Sequence, residues 1–94
     1  MAVTPVPRIL IVDDDRTTLR MLSLPLEAAG YTIATPSDGA TALARLARTR
    51  FDLVLLDVWM PGMDGLEVLA RLRGAPSRPR VVVMTADDAP ETLL

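Results

Sequence analysis

The chain contains, at residues 51–65, the sequence Phe51-Asp52-Leu53-Val54-Leu55-Leu56-Asp57-Val58-Trp59-Met60-Pro61-Gly62-Met63-Asp64-Gly65. Its first six residues form an apolar run that predicts a strand buried on both faces, as in a parallel sheet. Asp57 follows at the carboxyl end of this strand, where we expect it to meet solvent at the sheet edge. Open α/β sheets bind ligands at that edge. Asp57 is therefore the first candidate functional residue.

A second acidic cluster follows an apolar strand near the start of the chain. Residues 8–12 predict this strand, and Asp13, Asp14 and Asp15 come directly after it. If the two strands run parallel, Asp13, Asp14 and Asp57 converge on one patch of like charge with no lysine or histidine nearby. Such a patch favours a bound cation. Carboxylate, carbonyl and water oxygens suit Mg²⁺ or Mn²⁺ better than Zn²⁺, which prefers the cysteine and histidine that this chain lacks.

The remaining chain alternates strands with helices, which predicts an α/β fold with a parallel sheet. After the first strand we predict a helix ending near Gly30. Pro25 lies inside this helix and should either kink it near Met21 or cost about 3 kcal/mol if the helix stays straight. Its apolar positions are Leu19, Leu22, Leu26 and Ala29. A second strand is predicted at residues 31–35. The next helix is capped by Ser37 or Asp38 and ends near Arg48; its predicted inner face is Ala40, Leu43 and Leu46 or Ala47.

After the Asp57 strand, Asp64 is predicted to cap a third helix with Glu67 at its third position, as in a capping box. The predicted core positions of that helix are Leu66, Leu69 and Leu72. Residues 80–84 predict a fourth strand, and Asp87 and Asp88 begin a further helix.

Composition agrees with one compact cytoplasmic domain. The chain has 94 residues, of which half are hydrophobic, and a net charge of −2. Its acids are bunched at strand ends, so we expect no direct nucleic-acid binding. No apolar run approaches the roughly 20 residues of a membrane span, and residues 1–7 lack the features of a signal peptide. We expect residues 1–7 to be a disordered leader.

Three motifs in a characteristic order carry a resemblance to a known family. They are the acidic pair after the first strand, the Leu-Asp-x-x-Met-Pro-x-Met-Asp-Gly pattern around Asp57, and a strand at residues 81–86 that ends in Thr85 and Ala86. With these motifs the chain resembles the receiver domain of two-component response regulators. The resemblance implies a flavodoxin-like (CheY-like) three-layer fold for residues 8–94. It also implies five βα units, so we expect a sheet truncated to four strands in the order 2-1-3-4, ending at the start of the fourth helix, with the fifth βα unit missing.

The resemblance implies a signalling domain rather than an enzyme. A sensor histidine kinase or phosphotransfer protein would donate a phosphoryl group to Asp57, with Mg²⁺ as cofactor. Asp13, Asp14, Asp57 and the backbone carbonyl of Trp59 would hold the metal. The remaining implied roles are phosphoryl binding by Thr85 and Ala86 and tuning of dephosphorylation by Trp59 and Asp87. The family's lysine, at the end of its fifth strand, has no counterpart, because all ten basic residues are arginines.

Two alternatives belong to other functional classes. The first is a phosphorylation-impaired self-association module, which would form a homodimer through the exposed edge of the fourth strand. The second is a haloacid-dehalogenase-like phosphatase, since Asp13 to Thr17 also fits the motif Asp-x-Asp-x-Thr. Asp13 would then be the nucleophile and Asp15 the acid. That interpretation leaves the pattern around Asp57 unexplained.

Overall fold

The computed structural model describes residues 6–36, 38–58, 65–74 and 79–84. Strands and helices alternate along these residues, in agreement with the predicted α/β fold. In chain order the elements are β1 (Arg8–Val12), α1 (Arg16–Ala28), β2 (Thr32–Ala34), α2 (Gly39–Arg48), β3 (Leu53–Asp57), α3 (Gly65–Arg73) and β4 (Arg80–Met84).

The four strands form one parallel sheet in the order β2-β1-β3-β4, which confirms the predicted order. β1 lies in the middle, where it pairs with both β2 and β3. In the register between β1 and β3, Val12 lies beside Leu56. This register brings the carboxyl ends of the two central strands to the same level of the sheet.

Each face of the sheet has its own apolar core, so the protein has three layers. On one face Ile9 and Ile11 pack with Leu19 of α1. On the other face Leu10 and Val12 belong to a larger cluster formed with α2 and α3; its remaining buried members are Ala42, Phe51, Val54, Leu56, Val68 and Leu72. Because successive side chains of a strand point to opposite faces, the continuous apolar sequence of β1 serves both cores.

Aspartates cap the first two helices. Asp15 caps α1: its carboxylate accepts hydrogen bonds from the Thr17 backbone N–H at 3.2 Å and from Thr18 Oγ1 at 2.7 Å. Asp38 caps α2 in the same way, accepting from the Thr41 backbone N–H at 2.7 Å. Each carboxylate satisfies donors that the first turn of a helix leaves unpaired. Ser37 or Asp38 was the predicted cap of α2, and Asp38 occupies that position.

The predicted inner faces of α2 and α3 were wrong in part. In α2, Ala40 and Ala47 are exposed and Ala42 is fully buried, beside the partly buried Leu43 and Leu46. In α3, Leu66 is 59% exposed, whereas Val68 and Leu72 are buried. Residues two positions apart on a helix are rotated by about 200°, so Ala42 and Val68 face away from Ala40 and Leu66. Apolar spacing limited the choice of face, and packing on the sheet selected it.

Some elements begin or end at other residues than predicted, and a few predictions fall outside the described residues. β2 is one residue shorter at each end than predicted, and β3 begins at Leu53 rather than Phe51. α1 runs through Pro25 to Ala28. Most of the predicted leader, the cap Asp64 and the helix start at Asp87 lie outside the described residues.

Within the described part of the chain, no helix combines the length and apolar character needed to cross a bilayer.

Candidate functional site

Strand register places Asp13 and Asp57 side by side. Val12 is the partner of Leu56, and each aspartate is the next residue along its strand direction. β4 supports the other side of β3, where Asp57 lies beside Met84 and the Val58 backbone N–H donates to the Met84 carbonyl at 3.4 Å. The convergence expected from parallel strands is therefore present at the carboxyl edge of the sheet.

Three carboxylates meet at this edge. One oxygen from each of Asp13, Asp14 and Asp57 lies within 4.8 Å of the others. Asp14 is exposed, whereas Asp13 and Asp57 are only 6% and 5% exposed. Asp57 was expected to meet solvent at the sheet edge. Its side chain is instead buried there, where the start of α3 packs against the strand end. Two buried carboxylates and one exposed carboxylate thus offer three hard oxygen ligands, a donor set suited to Mg²⁺ or Mn²⁺.

The electrostatics of Asp13 favour a cation. Burial, the largest effect, raises the pKa of Asp13 above its ordinary value, and the carboxylates of Asp57 and Asp14 raise it further. A hydrogen bond from the Asp15 backbone N–H to Asp13 Oδ1, at 2.9 Å, acts in the opposite direction. Burial and like charge together disfavour the ionised form. A bound cation would relieve this cost.

Asp15 is adjacent to the site but serves a different purpose. Its carboxylate is engaged by Thr18 and Thr17, and these hydrogen bonds lower the pKa of Asp15. Among the described residues, the cluster able to hold a metal comprises Asp13, Asp14 and Asp57. Asp15 therefore caps α1 next to the cluster in sequence without belonging to the cluster.

Gly65 is the last residue of the motif around Asp57, but the motif alone assigned it no structural role. Its backbone N–H donates to the Val58 carbonyl at 3.3 Å. A β-carbon at Gly65 would overlap Val58 Cα and the carbonyl oxygen of Asp57. Only glycine allows α3 to start this close to the strand end that carries Asp57. The signal in the sequence was a glycine eight residues after Asp57, which alone did not reveal a close contact.

The other predicted site residues are Trp59, Thr85, Ala86 and Asp87. All four lie outside the residues that the structure describes. Their predicted roles stay predictions.

Known proteins with similar sequences belong to the family that the motifs around Asp13 and Asp57 resemble. The family model of the response regulator receiver domain matches residues 9–94. The uncharacterized transcriptional regulatory protein YkoG of Bacillus subtilis is 44% identical over 81 residues, which are 86% of this chain and 36% of YkoG. The chain thus spans about a third of the length of this relative.

Two solved structures of the Thermotoga maritima response regulator TrrA are similar in fold. TrrA in complex with Mg²⁺ and BeF is 35% identical, with a TM-score of 0.84. TrrA in complex with the histidine kinase ThkA is 34% identical, with a TM-score of 0.83. In both cases the match covers 95% of this chain and 77% of the other. Flavodoxin-like architecture, an acidic cluster at the carboxyl edge and a family match over most of the chain agree: this protein belongs to the response regulator receiver domain family.

Proposed function

We propose that this domain accepts a phosphoryl group on Asp57 from a phosphohistidine and relays the signal. The donor would be a sensor histidine kinase or a phosphotransfer protein. The domain would act in the cytoplasm. One observation carries the proposal: a buried aspartate at the end of a central strand lies within 4.8 Å of two further carboxylates. The complex of TrrA with its kinase ThkA supports the class of partner.

The chemistry expected of Asp57 is nucleophilic. A carboxylate oxygen of Asp57 attacks phosphorus, a P–O bond forms, and the P–N bond to the donor imidazole breaks. The imidazole nitrogen keeps the electron pair of that bond. Mg²⁺ held by Asp13, Asp14 and Asp57 would neutralise charge on the transferred group. The raised pKa of Asp13 and the three close oxygens fit such an ion.

The residues outside the described segments complete the proposal. The backbone carbonyl of Trp59 would add a metal ligand, Thr85 would hydrogen-bond a phosphoryl oxygen, and Ala86 would leave room for the group. Trp59 and Asp87 would tune dephosphorylation by controlling access of water. As a signalling domain, the protein would catalyse at most its own phosphorylation and dephosphorylation.

The phosphatase alternative finds little support in the site. It needs Asp15 as a free acid beside a nucleophilic Asp13. The Asp15 carboxylate instead caps α1 through Thr17 and Thr18. Asp57, which that alternative does not use, is buried next to Asp13.

The first test is metal binding. Mg²⁺ titration followed by Trp59 fluorescence should give a saturable change with weak affinity, because Mg²⁺ keeps several of its waters. Asp57→Asn should weaken the response strongly. Asp52→Asn is the matched control, since Asp52 is an exposed carboxylate before the same strand. An identical response in wild type and Asp57→Asn would contradict the assignment.

The second test is phosphoryl transfer from an acyl phosphate in the presence of Mg²⁺, read by intact mass. We expect one phosphoryl group on wild type and none on Asp57→Asn. Occupancy should be partial and short-lived on this 94-residue chain, because it offers no lysine as counter-charge. A long-lived, complete adduct would show that lysine is dispensable, and an adduct on Asp13 would favour the phosphatase.

A second candidate function is self-association through β4. Val82 in this strand is 49% exposed, and β4 lies at an edge of the four-stranded sheet that the structure describes. An apolar strand edge is a template for pairing with a second copy. The proposed homodimer would bury this edge.

A further inference from the structure

A cleft lies between α1 and the carboxyl end of β2. Its volume is about 540 Å³, within the range of small-molecule sites. The lining residues are Arg16, Thr17, Leu19, Arg20, Ser23 and Thr35. None of them belongs to the set of metal-ligating or phosphoacceptor residues.

The charged side chains that line the cleft are both basic. Arg16 and Arg20 are four residues apart on α1, so their side chains lie on one face of the helix. Both are exposed, and neither forms an ion pair within the described part of the chain, where the one such pair joins Arg71 to Glu67. Among the residues that the structure describes, no carboxylate lines the cleft. Two guanidinium groups therefore face a concave surface without an acidic partner.

Three hydroxyl groups accompany the two arginines. Thr17 and Ser23 come from α1 and Thr35 from the segment after β2, so the cleft is built by two elements. Hydroxyls donate hydrogen bonds to anionic oxygens, and guanidinium binds such oxygens in bidentate fashion. The buried Leu19 adds an apolar surface. This donor set matches a tetrahedral oxyanion better than a metal or a neutral ligand.

Helix stability does not explain the arginines. Cations stabilise the last turn of a helix and disfavour the first, yet α1 carries Arg16 and Arg20 in its first half and no base in its last turn. We propose that this cleft binds a small molecule bearing a phosphate group. The proposal is independent of phosphoryl transfer at Asp57.

Inorganic phosphate is the probe for the test. Titration of the ¹⁵N-labelled chain at constant ionic strength without Mg²⁺ should shift the backbone amide signals of Thr17, Ser23 and Thr35 in a saturable manner. Arg16→Gln/Arg20→Gln should weaken binding at least about tenfold, because two charge-assisted contacts are lost. Arg20→Gln alone should weaken it by less. Acetate at equal concentration should bind more weakly than phosphate, because it offers fewer anionic oxygens.

The matched control is Arg45→Gln/Arg48→Gln, which removes two exposed arginines from α2. This variant should bind phosphate as wild type does, and so should Asp57→Asn. Circular dichroism would show that each variant is folded. The proposal is overturned if both double variants lose affinity equally, if the shifts cluster around Asp57, or if wild type shows no saturable shift.

Discussion

At the residue scale, Gly65 limits how the site can be built. The α3 backbone contacts the end of β3 directly at this position, so a side chain has no space there. The carboxylate oxygens of Asp57, which we propose as metal ligands, lie at the same strand end. Close backbone approach at Gly65 therefore couples the start of a helix to the geometry of the site.

Gly65→Ala should destabilise the fold and disturb the site. We expect a loss of about 1–3 kcal/mol in the free energy of unfolding, as for overpacking elsewhere, measured by urea denaturation. Mg²⁺ affinity should fall as well, because Asp57 must move with its backbone. Gly74→Ala is the control: among the described residues, a β-carbon there would meet only the Arg71 carbonyl oxygen, at 3.8 Å. Equal stability of the two variants would contradict the contact at Gly65.

Asp38 provides a pH-dependent contribution at the start of α2. Two hydrogen bonds from Thr41 lower the pKa of Asp38 below the ordinary value of 3.8. The backbone N–H of Thr41 has the larger effect and its side-chain hydroxyl the smaller one. The ionised cap therefore stabilises the fold fully above pH 3.8, and this stabilisation is lost as pH falls through the lower folded-state pKa.

Asp38→Ala should lower the thermal midpoint at pH 7, because the cap is removed. The difference from wild type should shrink as the solution is acidified below the ordinary pKa of Asp38. Asp38→Asn retains an acceptor without a titrating group, so its midpoint should stay closer to wild type at pH 7. A wild-type advantage over Asp38→Ala that is unchanged between pH 7 and strongly acidic solution would rule out this linkage.

At the element scale, α1 contains an internal proline that its surroundings do not require. Pro25 is exposed and lies three residues before the end of the helix. Proline cannot donate the backbone hydrogen bond that a helix interior needs, and its ring crowds the preceding turn. The helix nevertheless continues to Ala28, since Leu22 and Leu26 pack against the core on that face.

Pro25→Ala should stabilise the protein. We expect a gain of about 1–3 kcal/mol in the free energy of unfolding, up to the full cost of proline in a helix interior. Chemical denaturation would measure it. Pro7→Ala, outside any helix, should give no gain, because proline there only restricts the unfolded chain. If Pro25→Ala leaves stability unchanged, the helix accommodates the proline without cost.

At the scale of the whole molecule, the two edge strands of the sheet that the structure describes differ in length and composition. β2 is a three-residue strand, whereas β4 has five residues, four of them apolar. Val82 lies on the same face of β4 as Met84, which packs against the core under α1, and Val82 itself is 49% exposed. Short edge strands resist pairing with other chains, and longer apolar ones invite it.

We therefore expect the 94-residue chain to self-associate with increasing concentration. Sedimentation over a concentration series should show a monomer–dimer equilibrium, which Val82→Lys should shift toward monomer by charging the edge. Val6→Lys is the matched control, because Val6 is equally exposed but outside the sheet. A wild-type chain that stays monomeric at high concentration would contradict the proposed edge contact.

The amino-acid sequence by itself determined the elements, their order and the aspartates of the site. Apolar runs in the strands, aspartate caps and turn residues are local signals, and the parallel arrangement followed from their alternation. Asp13, Asp14 and Asp57 could be brought together on this basis, because the ends of adjacent parallel strands coincide.

Tertiary structure alone decided which helix faces are buried and how enclosed the site is. Leu66 and Ala40 fit the helical pattern as well as Val68 and Ala42 do. The rotation of each helix on the sheet nevertheless buries Val68 and Ala42. Likewise, the burial of Asp57 and the close contact at Gly65 arise from segments packed together across the sheet edge. These properties depend on contacts between residues distant in sequence, which no local pattern encodes.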